Sequence, residues 1–205
     1  MTNVGLVDYG MGNLRSVRNA LELLGARVFV LEDPAGLSGV DRVVLPGVGA
    51  FGVAMANLRN AGWDDALSEY VLQKGHPFLG VCLGLQLLAD RGSEDGEHRG
   101  LGFIRGTTLR LERPADVPIP HIGWNEVRPI RTDGILSDVT PGTCFYFVHG
   151  YTLVPEDPSV VAGVTEYGGQ DFVSVIERDN VVATQFHPEK SQKPGLDLLR
   201  RFLAM

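Results

Sequence analysis

The stretch Phe78-Leu79-Gly80-Val81-Cys82-Leu83-Gly84 leads from a short apolar run into the helical spacing of Leu83, Leu87 and Leu88. An apolar run of this length between turn signals reads as a strand buried on both faces, as parallel sheets require. A cysteine between two glycines, with a strand before it and a helix after it, is the thiol version of a nucleophile elbow. The turn is so tight that a Cβ at either glycine would collide with its neighbours. It lifts Cys82 out of the sheet to the start of a helix, where free N–H groups favour an anion. The Leu83 N–H is then placed to receive a developing oxyanion. The plainer alternative is a small buried core thiol; the strand and helix on the correct sides favour the nucleophile.

Outward from the elbow, the first half of the chain keeps the same alternation. Val4 to Val7, Arg27 to Leu31 and Arg42 to Leu45 read as strands. Leu14, Val17, Leu21 and Leu24 form one helical face, with Gly25 where a C-terminal cap belongs. Such βαβ order implies an open, mostly parallel α/β sheet flanked by helices. From Leu101 to Val164 the text becomes strand-like and is broken by Pro114, Pro118, Pro120, Pro129, Pro141, Gly142, Pro155 and Pro158. An added, largely antiparallel, strand-rich part is expected there. Phe172 to Glu177 and Val181 to Gln185 follow as two strands turning at Asp179-Asn180. A last helix carries Leu196, Leu199, Phe202 and Leu203. With no linker or repeat in view, residues 1–205 are expected to form a single domain.

Composition removes other classes of answer. Among 205 residues, 44% are hydrophobic and 21% charged, ordinary for a globular chain. A chain of this length buries roughly 70% of its unfolded surface, enough for a core without staples. The net charge of −7 supplies no basic stripe for nucleic acid. No apolar run approaches the ~20 residues of a membrane span. Met1-Thr2-Asn3-Val4-Gly5 lacks the features of a signal peptide, and the only cysteines are Cys82 and Cys144. A soluble, cytoplasmic protein with reduced thiols is expected, with Cys144 a buried, inert one.

A cysteine nucleophile needs a base, and the base needs a group to orient it. His187-Pro188-Glu189 offers both at the carboxyl end of an apolar strand, the edge where α/β sheets place their sites. Pro188 fixes the chain so that Glu189 can turn back onto the far imidazole nitrogen. Among the other histidines, His76 and His98 read as exposed turns. His121 and His149 lie in the strand-rich part with no carboxylate two residues on. No Cys or His pair has zinc-like spacing, so neither metal nor cofactor is expected.

Cys82 in its elbow, followed by His187-Pro188-Glu189, resembles the class I, triad-type glutamine amidotransferases, and the resemblance spans essentially the whole chain. Leu45-Pro46-Gly47-Val48-Gly49-Ala50-Phe51 matches the family's loop for the second oxyanion donor. That role would fall to an N–H in Gly47, Val48 or Gly49, with Val48 or Gly49 preferred. Three further segments are similar to glutaminase subunits of imidazole glycerol phosphate synthases: Asp8-Tyr9-Gly10-Met11-Gly12-Asn13-Leu14-Arg15-Ser16-Val17, Pro120-His121-Ile122-Gly123-Trp124-Asn125 and Phe145-Tyr146-Phe147-Val148-His149. Gly10-Met11-Gly12 also resembles a dinucleotide loop, but Arg15 stands where that fingerprint needs its third glycine.

The resemblance implies hydrolysis of glutamine to glutamate and ammonia. It implies glutamine contacts from Gln86, Glu94 and the backbone of Gly150 and Tyr151; many relatives carry a hydroxyl side chain at the position of Gly150, so only a backbone contact survives there. It implies a heterodimer with a (β/α)₈-barrel cyclase that receives the ammonia. Asn13, Arg15, Arg18, Ile122, Trp124 and Asn125 are the candidate partner-facing residues. A class I glutaminase serving purine, pyridoxal phosphate or anthranilate synthesis is the alternative.

Overall fold

The computed structural model describes residues 1–112, 117–131 and 133–205. The first strands are β1 (Asn3–Val7), β2 (Arg27–Leu31), β3 (Arg42–Gly47) and β4 (Phe78–Cys82). Short strands β5 (Arg91–Gly92) and β6 (His98–Arg99) precede β7 (Gly106–Arg110), β8 (His121–Glu126), β9 (Arg128–Pro129), β10 (Cys144–His149) and β11 (Tyr151–Pro155). The chain closes with β12 (Val161–Tyr167), β13 (Gln170–Arg178) and β14 (Val181–Thr184). Helices α1 (Leu14–Leu23), α2 (Phe51–Asn60), α3 (Trp63–Leu67), α4 (Leu83–Gln86) and α5 (Gln192–Ala204) complete the frame.

The main sheet has the order β2-β1-β3-β4-β14-β13-β12-β9. Its first five strands are parallel and the remainder antiparallel. The apolar runs are continuous because both faces are covered. Val43, Leu45, Phe78, Val181 and Ala183 enter one core with α2 and α3. Val44, Leu79, Val81 and Val182 enter the other with α1 and α5. Two smaller sheets, β10-β8 and β11-β7-β5-β6, stand against this frame.

Several expectations need correction. The helix after the elbow is a single turn, α4, and all four of its residues are buried. Leu87 and Leu88 are buried beyond it, because β7 and β11 close over this segment and leave no solvent face for an amphipathic helix. Helices α2 and α3 lie between β3 and β4; α3 begins at Trp63, where the sequence already has a helical pattern, whereas nothing in the sequence singles out α2. In α5 the buried face is Gly195, Leu198, Leu199 and Phe202, one step away from the expected Leu196 and Leu203, which are only partly covered. Cys144 is partly exposed rather than buried, at the first position of β10. His76 is half-buried and stacked on Tyr70, and His98 lies in β6 against Gly52. Pro114 falls outside the described residues. Among the described residues, no helix is long and apolar enough to cross a membrane, and no cluster of His, Cys, Asp and Glu could hold a metal ion.

Candidate active site

Cys82 ends β4 with φ 56° and ψ −105°, a left-handed conformation that a side chain adopts only under constraint. The constraint is close packing at the two flanking glycines. A Cβ on Gly84 would overlap the Leu45 carbonyl oxygen, and one on Gly80 would lie 2.7 Å from the Gly84 carbonyl oxygen. Both obstacles are backbone and have nowhere to move. Gly84→Ala is therefore expected to lower the unfolding free energy by about 1–3 kcal/mol, read as a reduced urea midpoint at unchanged slope. With only one turn behind the elbow, the helix dipole is weaker than a full helix would supply, so local N–H groups carry the anion-binding role.

The partner for Cys82 comes from β14, which pairs with β4 in parallel register, Thr184 opposite Val81. The chain that leaves β14 therefore passes beside the elbow. The His187 N–H donates to the Tyr146 carbonyl at 2.9 Å. Ser191 Oγ donates to the His187 carbonyl at 2.6 Å and accepts the Tyr146 N–H at 3.0 Å. A single 3₁₀ turn at Pro188–Lys190 brings Glu189 back, and His187 Nδ1–H donates to Glu189 Oε1 at 2.8 Å. Both side chains of this pair are nearly inaccessible, 3% and 1% exposed. With Nδ1 engaged, Nε2 faces the Cys82 sulfur short of hydrogen-bond geometry, yet near enough to feel its charge. Burial alone would push the His187 ring down, but Cys82 and Glu189 outweigh it and raise its pKa to about 9.

Two other histidines line the rear of this region. His149 and His121 lie opposite each other on β10 and β8, their rings joined Nε2 to Nδ1 at 3.1 Å. Burial pushes His121 down to about 4 and His149 down to about 3, so both are neutral at physiological pH. Tyr9, buried against Gly47, has its hydroxyl pushed well above the ordinary phenol range, first by burial and then by Cys82.

A cavity of about 270 Å³ opens onto Cys82 and Leu83, bounded by Val48, Gly49, Gln86, Glu94, His149, Gly150 and Tyr151. Its size suits a ligand no larger than an amino acid. A larger, shallower depression of about 420 Å³, near Pro34, Tyr70 and His76, is lined by no cysteine and lies away from the Cys82 elbow. Gly47 ends β3 directly opposite Cys82, Val48 is half-exposed, and Gly49 has φ +108° against the Met11 methyl. Gly12 packs on Pro46, so the Gly10-Met11-Gly12 turn borders this loop.

The expected glutamine contacts lie in the cavity wall, though several are already engaged. Gln86 is buried, and its Nε2 donates to the Tyr151 carbonyl at 3.0 Å and to Gln185 Oε1 at 3.3 Å. Glu94 Oε2 accepts the Phe51 N–H at 2.8 Å, covering the first turn of α2. The Gly150 carbonyl takes the Leu111 N–H, and the Tyr151 carbonyl takes His149 Nδ1 as well as Gln86.

Of the candidate partner-facing residues, Ile122 and Trp124 are 61% and 49% exposed on one face of β8. Trp124 meets Tyr146 edge-on, and Lys190 lies over the Tyr146 ring at 5.8 Å. Asn13, Arg15 and Arg18 are exposed at the start of α1. Asn13 caps that helix by accepting the Ser16 N–H, and Arg18 pairs with Glu22 at 2.8 Å. Asn125 is partly exposed, and its amide donates to the Glu166 carbonyl at 2.8 Å in an exposed hydrogen bond to β12. Sequence reasoning missed Gln185 and Ser191, both fully buried beside the triad; their only sequence signal is proximity to His187-Pro188-Glu189.

Comparison with known proteins gives the same picture. The family described as glutamine amidotransferase class-I matches residues 5–205. Imidazole glycerol phosphate synthase subunit HisH of Aquifex aeolicus is 54% identical over 198 residues, covering 96% of this chain and 94% of its own. The Moorella thermoacetica protein of the same name is 47% identical over 202 residues, covering 98% and 94%. Among solved structures, PurLQS from Thermotoga maritima superposes with TM-score 0.78 at 17% identity, covering 100% of this chain and 99% of the other. A GMP synthase protein from Thermoplasma acidophilum gives 0.75 at 20% identity, covering 100% and 93%. These two likenesses concern the fold alone. By fold, by site geometry and by full-length similarity, this chain belongs to the class I glutamine amidotransferases.

Proposed function

We propose that this chain is the glutaminase subunit of an imidazole glycerol phosphate synthase, a single domain over residues 1–205 working in the cytoplasm without metal or cofactor. The observation that carries the reading is Cys82 opening into an amino-acid-sized cavity with the His187–Glu189 pair behind it, within a chain similar over nearly its whole length to subunits of that name. Purine, pyridoxal phosphate or anthranilate synthesis is not favoured, because the relatives similar along nearly the whole chain at 45–54% identity carry the imidazole glycerol phosphate synthase name.

In this reading the Cys82 proton rests on His187 Nε2, which stays charged through neutral pH, and the thiolate attacks the side-chain carboxamide of glutamine. The Leu83 N–H and an N–H of the 47–49 loop receive the oxyanion. His187 then protonates the leaving nitrogen, releasing ammonia and leaving a γ-glutamyl thioester. Water activated by His187 releases glutamate and restores the thiol. Glu189 holds the imidazole in its working tautomer and stabilises its charged form. Gln86, the backbone of Gly150 and Tyr151, and the free oxygen of Glu94 hold the substrate, Glu94 through its α-ammonium.

Free ammonia in water at neutral pH mostly protonates and ceases to be a nucleophile, so the product needs a sheltered route. The partner is a (β/α)₈-barrel cyclase docked on the face of Ile122 and Trp124 and the start of α1. Reorientation of a peptide in the 47–49 loop, where glycines flank Val48, completes the oxyanion hole on docking. The test is glutamate release by the chain alone, with its cyclase, and with cyclase plus its ribonucleotide ligand. A large rise only in the full mixture supports the reading; full activity alone, indifferent to both additions, overturns the pathway assignment. Trp124→Ala is expected to leave stability within ~0.5 kcal/mol, because the ring is half in solvent. It should weaken cyclase binding by about 2 kcal/mol, or about 30-fold in Kd, as titration calorimetry would report.

A further inference from the structure

We propose that Gln185 is a further catalytic residue of this site, holding the Cys82 sulfur with one end of its amide and Gln86 with the other. The proposal rests on the glutaminase reading and adds a residue that the triad does not include. Gln185 follows β14 directly and is fully buried, an expensive place for an amide unless both ends are used. Both ends are used. Its Nε2 donates to Cys82 Sγ at 3.8 Å, and its Oε1 accepts from Gln86 Nε2 at 3.3 Å. Its backbone N–H donates to the Ser174 carbonyl at 2.9 Å, so the stem is fixed by the β13–β14 pairing.

The chemistry follows from what the sulfur can do before and after it loses its proton. As a thiol, Cys82 donates to the Val148 carbonyl at 3.8 Å and accepts from Gln185. When the proton passes to His187 Nε2, the sulfur becomes an acceptor only. The Val148 carbonyl then has nothing to receive, whereas the Gln185 N–H becomes a charge-assisted donor to an anion. Gln185 thus stabilises the thiolate more than the thiol. The same amide cannot rotate without releasing Gln86, which is held at its far side by the Tyr151 carbonyl and through its own carbonyl by Thr108 Oγ1 at 2.8 Å. One neutral side chain therefore ties the nucleophile to a residue that grips the substrate.

The titratable groups facing the sulfur are His187 and Tyr9, with His149 beside His187; substitutions at Gln185 and Gln86 leave all three in place. The probe is methyl methanethiosulfonate, a small neutral thiol reagent without a carboxamide, with modification of the Cys82 peptide followed by mass spectrometry so that Cys144 is counted separately. In Gln185→Met, which keeps length and apolar volume but has no donor, Cys82 should react about 10- to 100-fold more slowly at pH 7. Its rate profile should move to higher pH, and kcat for glutamine in the cyclase complex should fall in parallel. Gln86→Met does not touch the sulfur, yet it frees the Gln185 amide and should slow Cys82 in the same direction by less. The double variant should react no more slowly than Gln185→Met alone. An unchanged Cys82 rate in folded Gln185→Met overturns the proposal, as does a double variant whose losses multiply. If Gln185→Met does not fold, an unchanged rate in Gln86→Met overturns it. Glutamine turnover surviving Cys82→Ala would instead overturn the glutaminase reading itself.

Discussion

Cys82→Ala is expected to abolish glutamate release, with kcat falling at least about 10⁴-fold, and to keep the binding of the proposed cyclase partner. The loss is large because, among the described residues, no other group beside the sulfur is free to form the acyl intermediate: both ring nitrogens of His149 are engaged, by His121 and the Tyr151 carbonyl, and the Tyr9 hydroxyl is held protonated. Stability separates this loss from unfolding. Cys82 has φ 56° and ψ −105°, strained for any residue with a Cβ, and such strain costs about 1–3 kcal/mol. Cys82→Gly relieves it, against the ~0.4–1 kcal/mol that glycine adds to unfolded-state entropy. Both variants are therefore inactive, and Cys82→Gly unfolds at a higher urea concentration than Cys82→Ala. Equal midpoints would mean that the elbow stores no strain. Substantial turnover in either would remove Cys82 from the reaction.

The parts of the fold and site legible in the sequence are those dictated locally. β1 and β2 begin and end within a residue of their apolar runs, and the β13–β14 turn falls at Asp179-Asn180. The glycines around Cys82 announce a turn because only glycine tolerates the contacts with Leu45 and Gly84. Non-local pairing decided the rest. Gln185 looks like one more residue of an apolar strand; only the register of Thr184 opposite Val81 brings its amide to the sulfur. Gln86 and Glu94 are marked only by the family resemblance; nothing local in the sequence tells that β11 covers the one or that Phe51 offers its N–H to the other. Asn125 alternates with exposed neighbours on β8, yet its side chain finds the Glu166 carbonyl on a strand far along the chain. The elbow helix is shorter than its leucines suggest for the same reason: leucine spacing records burial, and here burial comes from strands packed on every side rather than from one face of a longer helix.

Glu189→Gln tests the other half of the site, and its effect is expected to rank just below the loss of Cys82. The carboxylate is 1% exposed and accepts the His187 Nδ1 proton at 2.8 Å. An amide of the same shape can present its NH₂ to Nδ1, which favours the wrong tautomer and leaves Nε2 protonated against the sulfur. A fall in kcat of about 10²- to 10⁴-fold is expected, with glutamine KM little changed. The pH dependence has a definite sign. His187 is raised to about 9 in the folded protein, so its charged form persists through neutral pH and is lost as pH rises through that value. The free-enzyme kcat/KM of the native chain should therefore hold to about pH 9, and its alkaline limb should move to lower pH in Glu189→Gln. Stability follows the same linkage: the contribution of the charged ring is fully present below the unfolded histidine value and disappears as pH climbs through the folded one. The stability of the native chain should thus decline from neutral pH toward pH 9 more steeply than that of the variant, which has already lost the pairing. Parallel urea midpoints for the two proteins across that interval would mean that Glu189 orients the ring without holding its charge.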